Sequence, residues 1–151
     1  QKTAYEIYQC DWSSGRVLFR SNFSQKFDRI LIDAPCTGLG ALRRRPEARW
    51  RRTPSDLKEL VSIQRDLISS SVKMLNNRGI IAYATCSPHT LETKAQIADV
   101  LRKNKELELI PASDYVTIEA KYVEKDGTIQ MWTHRMGTDS MFMAFLRKRN
   151  D

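Results

Sequence analysis

The stretch FDRILIDAPCTGLG, residues 27–40, decides the fold. An apolar run ends abruptly in Asp33, and a proline, Cys36 and two glycines follow it. Such a short, nearly continuous apolar run predicts a strand of a parallel sheet that is buried on both faces. A carboxylate and a thiol directly after the strand predict a functional loop, because ligands bind at the carboxyl ends of strands in open α/β sheets.

The clearest helix pattern follows this loop. Residues 53–79 predict a helix with Thr53 as its N-cap, Pro54 at its first helical position and Gly79 as its stop. Its apolar residues recur with a period of about 3.6, and Gln64 is the only polar lapse.

The rest of the chain continues the alternation of strands and helices. Strands are predicted at 4–11 and 80–87, a second helix at 91–104, and two final strands around a turn from Gly137 to Ser140. The order β, β, α, β, α, β, β predicts a three-layer α/β fold with a largely parallel sheet.

Two predicted strands end in a thiol. Cys36 follows the strand at 27–33, and Cys86 lies at the end of the strand at 80–87. If the helix between them is an ordinary right-handed crossover, both strands lie in one sheet and both thiols face one crevice. A free cysteine is often only a small core residue, and Cys10, which has no partner motif, is interpreted in that way.

Composition limits the classes of protein and site. The 151 residues, 41% of them hydrophobic, suffice for one domain with a core. No apolar run reaches the roughly 20 residues of a membrane span. Three unevenly spaced cysteines do not suggest a disulfide framework, which favours the cytoplasm, and the net charge of +7 favours nucleic acid as a partner. His89 and His134 have no partners at metal-ligand spacing, so no metal site is predicted.

The segments DAPCTGLG and ATCS resemble motifs IV and VI of the RNA cytosine-C5 methyltransferases, the Fmu/Sun/Nol1/Nop2 family. The longer stretch FDRILIDAPCTGLGALRRRPEARWRR is especially similar to the bacterial branch that methylates small-subunit ribosomal RNA. The resemblance runs from about Glu6 to Arg147. It implies a Rossmann-like methyltransferase fold, S-adenosylmethionine as the methyl donor, and RNA, ribosomal RNA in this branch, as the partner.

The resemblance also implies roles for single residues. Cys86 would add to C6 of cytosine and make C5 nucleophilic, and Cys36 would assist product release. Asp33 would contact the cytosine edge or the methyl donor, although a cap on the following turn is an alternative. Asp11 resembles the acidic residue that accepts a hydrogen bond from the donor's adenine; a simple turn aspartate is the alternative. The loop after Asp33 is expected to be flexible, because a flipped base and the donor would meet against it.

The segment RRRPEARWRR, residues 43–52, holds six arginines around Pro46 and Trp50. Arginine binds phosphates in a bidentate way, and an exposed tryptophan offers a stacking surface for bases. A solvated basic face with Trp50 packed against the helix is the alternative interpretation. The residues assigned to RNA binding are Arg43, Arg44, Arg45, Arg49, Trp50, Arg51 and Arg52.

The chain departs from the family pattern. The glycine-rich donor loop and the acidic ribose-binding residue are absent, so residues 1–151 are predicted to be the C-terminal part of a catalytic domain, inactive alone. In the family's strand order 3-2-1-4-5-7-6, the strand at 4–11 would be third and that at 27–33 fourth, with the first two missing. The bare edge of 27–33 would then pair with residues 4–11, pair with a second copy, or stay open. An altered or mobile segment before residue 27, with a native-like sheet from 27 to 147, is the favoured outcome. Where the family has Glu-Asn, this chain has Glu92 and Thr93, and Ser140 stands where the family has Gly.

Two other functions compete with this one. A DNA cytosine-C5 methyltransferase attacks with its Pro-Cys thiol and lacks the second thiol, so Cys86 counts against it. A basic RNA-binding module without chemistry stays open, because the donor loop is absent.

Overall fold

The computed structural model describes residues 26–150. The predicted strand at 4–11, with Cys10 and Asp11, lies outside the described residues. No helix within 26–150 combines the length and apolarity of a membrane span. The strands are β1 (Phe27–Asp33), β2 (Leu75–Thr85), β3 (Leu107–Ile110), β4 (Ile129–Met131) and β5 (Met141–Lys148), and the helices are α1 (Ala48–Arg51), α2 (Pro54–Lys73), α3 (Lys94–Lys103) and α4 (Thr133–Met136).

The sheet is mixed rather than largely parallel. Its order is β1-β2-β5-β3, and β4 pairs with the first residues of β5. Within residues 26–150 only β1 and β2 pair in parallel, because β5 returns antiparallel to β2, β3 and β4. This order matches the 4-5-7-6 end of the sheet that the resemblance implies. The sequence did not predict β3, since its four residues are too short to show a period.

Helix α2 begins as predicted and ends earlier. Thr53 accepts a hydrogen bond from the Asp56 backbone, and the Asp56 carboxylate accepts one from the Thr53 backbone. The helix ends at Lys73, and Gly79 lies inside β2 instead of stopping the helix. Between the pairs Phe27–Leu75 and Arg29–Ile80 the register shifts, and this bulge places Arg78 at a φ of 63°.

The core lies mainly between the sheet and the helices α2 and α3. Leu67, Ile68 and Val72 of α2 pack there with Ile32 and Ile81 of the sheet. A smaller cluster, which includes Ile80 and Phe145, lies on the other face.

Strand β1 is not buried on both faces, contrary to the prediction. Ile30 and Ile32 face the core, whereas Leu31 is 67% exposed on the opposite face. Within residues 26–150, β1 is an edge strand that pairs with β2 alone. Pairing of its other edge with residues 4–11 or with a second copy stays a prediction.

Candidate active site

The two thiols meet at the carboxyl ends of the parallel pair. β1 and β2 stay in register to Asp33 and Ala84, and the Ala34 N–H donates to the Ala84 carbonyl at 2.9 Å. The chain therefore leaves both strands at the same level of the sheet. The Sγ atoms of Cys36 and Cys86 lie 3.3 Å apart and share a hydrogen bond. The structure thus brings together the two thiols that the sequence placed after separate strands.

The pair is electrostatically asymmetric. The hydrogen bond from Cys36 is the main cause that lowers the pKa of the Cys86 thiol to about 7, against the opposing effect of burial. The same interaction, together with burial, raises the pKa of the Cys36 thiol. Cys36 is buried and Cys86 is half-buried. Cys86 is therefore the more accessible thiol and the one that ionises first.

The loop after β1 is tethered, which corrects the expectation of a flexible loop. The Gly40 N–H donates to the Cys86 carbonyl at 2.9 Å, and the Ser140 N–H donates to the Gly40 carbonyl at 3.0 Å. A Cβ at Gly40 would lie 1.9 Å from the Ser140 carbonyl oxygen, so only glycine fits there. Gly40 is needed for close approach rather than for freedom of movement.

The turn before β5 accommodates Ser140 without strain. Within residues 26–150 the only non-glycine residue with positive φ is Arg78. Gly137, at a φ of 66°, supplies the left-handed position of the turn. The serine where the family has glycine therefore does not distort the site.

A buried carboxylate lies behind the two loops. Glu92 is fully buried, and its Oε1 accepts hydrogen bonds from the Thr37 N–H at 2.8 Å and from Gln64 Nε2 at 3.1 Å. Its Oε2 accepts from the Thr37 hydroxyl at 2.5 Å and from the Ser87 hydroxyl at 2.6 Å. We call Glu92 and these three partners the carboxylate network. Tyr83 joins it to β2, since its hydroxyl donates to the Glu92 carbonyl at 2.9 Å.

Sequence reasoning missed this network. In the sequence, Glu92 stands out only as a family position, and Gln64 only as a polar lapse. Gln64 is fully buried and also donates to the Pro35 carbonyl at 2.8 Å. A lone polar residue on an otherwise apolar helix face is the signal that could have revealed the network, because buried polar groups need partners.

The neighbours of Cys86 differ in what they do. The Ser87 hydroxyl donates to Glu92 rather than to the thiol. The Thr85 hydroxyl is buried without a hydrogen-bond partner in the described structure. Thr93, where the family has Asn, uses its hydroxyl on the His89 carbonyl at 3.1 Å. Asp33 stands exposed at the end of β1.

The arginine segment, residues 43–52, is mostly solvent-exposed, and Arg44 lies near enough to Cys86 to interact with it electrostatically. Trp50 is 83% exposed, so the alternative in which it packs against the helix is wrong. The Arg49 guanidinium lies 5.4 Å from the centre of its ring. Arg44 donates two hydrogen bonds to Asp139, with Arg43 nearby at 3.9 Å. Within residues 26–150, no ion pair holds the other arginines of the segment, Arg45, Arg49, Arg51 and Arg52.

A cleft of about 400 Å³ adjoins the loop after Cys86. Pro88 of that loop forms part of its wall, and Trp132, His134 and Arg135 of the α4 region face it. Over residues 26–150, no group of three or more His, Cys, Asp or Glu side chains is arranged to hold a metal ion.

Comparison with known proteins identifies relatives of the chain. A family model described as 16S rRNA methyltransferase RsmB/F matches residues 3–147. A Mycobacterium tuberculosis protein with only a general methyltransferase name is 49% identical over 122 residues, which cover 81% of this chain and 26% of that protein. Ribosomal RNA small subunit methyltransferase B of Pectobacterium carotovorum is 34% identical over 141 residues, 93% of this chain and 29% of the relative. The chain thus spans under a third of the length of these relatives.

Solved structures agree with the fold. NSun6 from Pyrococcus horikoshii, crystallised with the S-adenosylmethionine analogue SFG, is 29% identical with a TM-score of 0.70 over 84% of this chain and 31% of its own. A methyltransferase homologue from the same organism is 27% identical with a TM-score of 0.64, over 82% of this chain and 40% of its own. The described sheet is therefore a part of the Rossmann-like methyltransferase fold.

Proposed function

Because the chain belongs to the RsmB/F family of 16S rRNA methyltransferases, we propose that it carries the catalytic thiols for methylation of cytosine C5 in ribosomal RNA. The observation that carries the proposal is the pair of thiols 3.3 Å apart at the carboxyl ends of two parallel strands. Cytosine C5 is a poor nucleophile, and a thiolate that adds to C6 converts the ring into an enamine that is nucleophilic at C5. S-adenosylmethionine supplies the methyl group.

The asymmetry of the pair supports separate roles for the two thiols. Cys86, the more accessible thiol with a pKa lowered to about 7, provides the thiolate that bonds to C6. After methylation the C5 proton leaves to a base, the C5–C6 double bond re-forms, and the bond from C6 to Cys86 Sγ breaks with the electron pair on sulfur. The Cys36 S–H, which donates to that sulfur, stabilises the departing thiolate. Cys36 thereby assists release.

Asp33 fits a place beside the base and the methyl donor. It is exposed at the end of β1, where open α/β sheets bind their ligands. A carboxylate there can accept a hydrogen bond from the exocyclic amino group of cytosine or face the positive charge of the donor. The second acidic residue assigned to the donor, Asp11, lies outside the described residues.

The arginine segment supports RNA as the partner. Arg45, Arg49, Arg51 and Arg52, which form no ion pair within residues 26–150, and the exposed Trp50 ring offer phosphate contacts and a stacking surface in the segment that follows the Cys36 loop. The cleft beside Pro88, which Trp132 and Arg135 line, offers a further aromatic and basic surface at the loop after Cys86.

The proposal is tested in the longest form of the protein that its gene encodes, with the donor and small-subunit RNA. Cys86→Ala should abolish both methylation and the covalent enzyme–RNA adduct on denaturing gels. Cys36→Ala should accumulate the adduct, because release fails. An adduct with Cys86→Ala and none with Cys36→Ala would reverse the roles. RNA binding with neither adduct nor methylation in the unmodified protein would favour a non-catalytic RNA-binding module.

A further inference from the structure

We propose that Glu92 is the positioning residue that sets the distance between the two thiols. The inference deepens the proposed function and rests on it for its catalytic meaning. Thr37 directly follows Cys36, and Ser87 directly follows Cys86. One carboxylate binds both of these residues, through three of the four hydrogen bonds that it accepts. The Thr37 and Ser87 hydroxyls also contact each other directly at 3.3 Å, and Glu92 holds both of them from behind.

The carboxylate is itself held in place. The Glu92 N–H donates to the His89 carbonyl at 2.9 Å, and its carbonyl accepts from the Tyr83 hydroxyl. Gln64 holds the same carboxylate from α2. Because both loops are anchored to this one fixed acceptor, the acceptor sets the distance between the Cys36 loop and the Cys86 loop.

The electrostatic effect of Glu92 indicates that it acts by holding the loops in place and not by activating the thiol. The charge of Glu92 raises the pKa of both thiols, which opposes formation of the thiolate. It is also a buried charge, which is costly unless hydrogen bonds compensate it. A carboxylate in this place disfavours activation of the nucleophile directly. Its benefit is the short contact through which Cys36 lowers the pKa of Cys86.

Two substitutions at Glu92 separate the effect of side-chain length from the effect of its charge. Glu92→Asp keeps the charge but withdraws the carboxylate by about 1.5 Å, the length of one carbon–carbon bond. It can then reach one loop but not both. Glu92→Gln keeps the length and loses the charge, and the hydroxyls of Thr37 and Ser87 can rotate to accept from its amide. Glu59→Gln, on the exposed face of α2, is the matched control.

Two readouts need neither RNA nor donor. The first is the pH midpoint of Cys86 alkylation by iodoacetamide, followed by mass spectrometry. The second is the rate at which diamide, which is reduced to its hydrazine as it oxidises two thiols, joins Cys36 to Cys86. With Glu92→Asp we expect the midpoint to rise and the cross-linking rate to fall roughly tenfold, because the thiols separate. With Glu92→Gln we expect the midpoint to stay within about 0.5 pH unit, and the cross-linking rate within about threefold, of the values for the unmodified protein.

Ser87→Ala removes the Ser87 hydrogen bond to Glu92, and Thr37→Val removes one of the two Thr37 bonds, because the backbone N–H still donates. Both variants keep the inference testable if Glu92→Asp does not fold. Each should slow cross-linking. If every variant lowers only the urea midpoint of unfolding and leaves both thiol readouts unchanged, Glu92 is merely structural and the inference fails. It also fails if Glu92→Gln loses as much as Glu92→Asp. If the thiol readouts respond as expected but the unmodified protein never methylates RNA, the proposed function fails and the positioning role stands.

Discussion

The thiol loops and the arginine segment are neighbours in the chain and are built in opposite ways. Around Cys36 and Cys86, side chains are buried and tied to one another, with Glu92 at the centre. A few residues later, Trp50 is 83% exposed, and Arg44 is the segment's one arginine with direct hydrogen bonds to a carboxylate within residues 26–150. Covalent chemistry requires a fixed geometry, whereas binding to a long polyanion requires accessible charge. The difference predicts how each region responds to substitution.

The largest effect is expected where a single methyl group is added to the tethered loop, at Gly40. Gly40→Ala should cost about 3 kcal/mol or more of unfolding free energy, because its Cβ would overlap the Ser140 carbonyl. Gly38→Ala is the control, since nothing lies within 4 Å of its Cβ and only the strain of its φ of +71° applies. That strain costs about 1–2 kcal/mol. Urea denaturation measures both, and equal losses would mean that the Gly40 loop is free to move.

The coupling of the thiols gives the next largest effect. Alkylation of Cys86 should rise with pH through a midpoint near 7, because its pKa is about 7 and only the thiolate reacts. Cys36→Ser and Cys36→Ala test the source of this shift. With Cys36→Ala the midpoint should move up towards the ordinary value near 8.5, so that the rate at pH 7 falls roughly tenfold. Cys36→Ser retains a hydrogen-bond donor, so its alkylation midpoint should fall between those of the unmodified protein and of Cys36→Ala. If the midpoint of Cys36→Ala does not move, Cys36 is not the cause of the lowered pKa.

The arginine segment should respond through salt and not through folding. Replacing Arg45, Arg49 and Arg51 with alanine should flatten the slope of log affinity against log salt for single-stranded RNA by about 2, since each phosphate that an arginine neutralises adds about 0.7 to that slope. The unfolding free energy should change by less than about 0.5 kcal/mol, as for other exposed positions. The control replaces Lys73, Lys105 and Lys125 with alanine; these side chains are exposed and, within residues 26–150, form no ion pair. An equal change in slope for the control would show that only net charge matters.

The smallest effect is expected at Trp50. Because the ring is 83% exposed, Trp50→Ala should change the unfolding free energy by less than about 0.5 kcal/mol. Trp132→Ala, at a half-buried tryptophan, provides the comparison and should cost more. A loss above about 1 kcal/mol at Trp50 would mean that the ring is packed, and would restore the solvated-face interpretation.

The sequence predicted the parts of this site that follow from local pattern. The runs before Asp33 and Cys86 predicted strands, and the predicted N-cap of α2, Thr53, is confirmed. The predicted end of α2 was wrong, because Gly79 lies at a bulge in β2 instead of at a helix end. The links of Glu92 to Thr37, 55 residues away, and of Gly40 to Ser140 depend on how loops pack in three dimensions. No local period reports them, so the sequence alone suggested a flexible loop.

The backbone contact of Gly40 with Ser140 has a consequence for the order in which contacts form while the protein is synthesised and folds. Cys36 and Cys86 are 50 residues apart, and the neighbouring contact of Arg44 with Asp139 spans 95 residues. Contacts of such separation form late, because closing long loops first costs entropy. We therefore expect the thiols to behave as ordinary, independent cysteines while the polypeptide is still emerging from the ribosome, and to become a reactive pair only when β5 docks. Pulsed alkylation during refolding should show a gain in Cys86 reactivity at pH 7 at the same time as the β5 amides become protected from hydrogen exchange. A gain in reactivity before that protection would contradict the expectation.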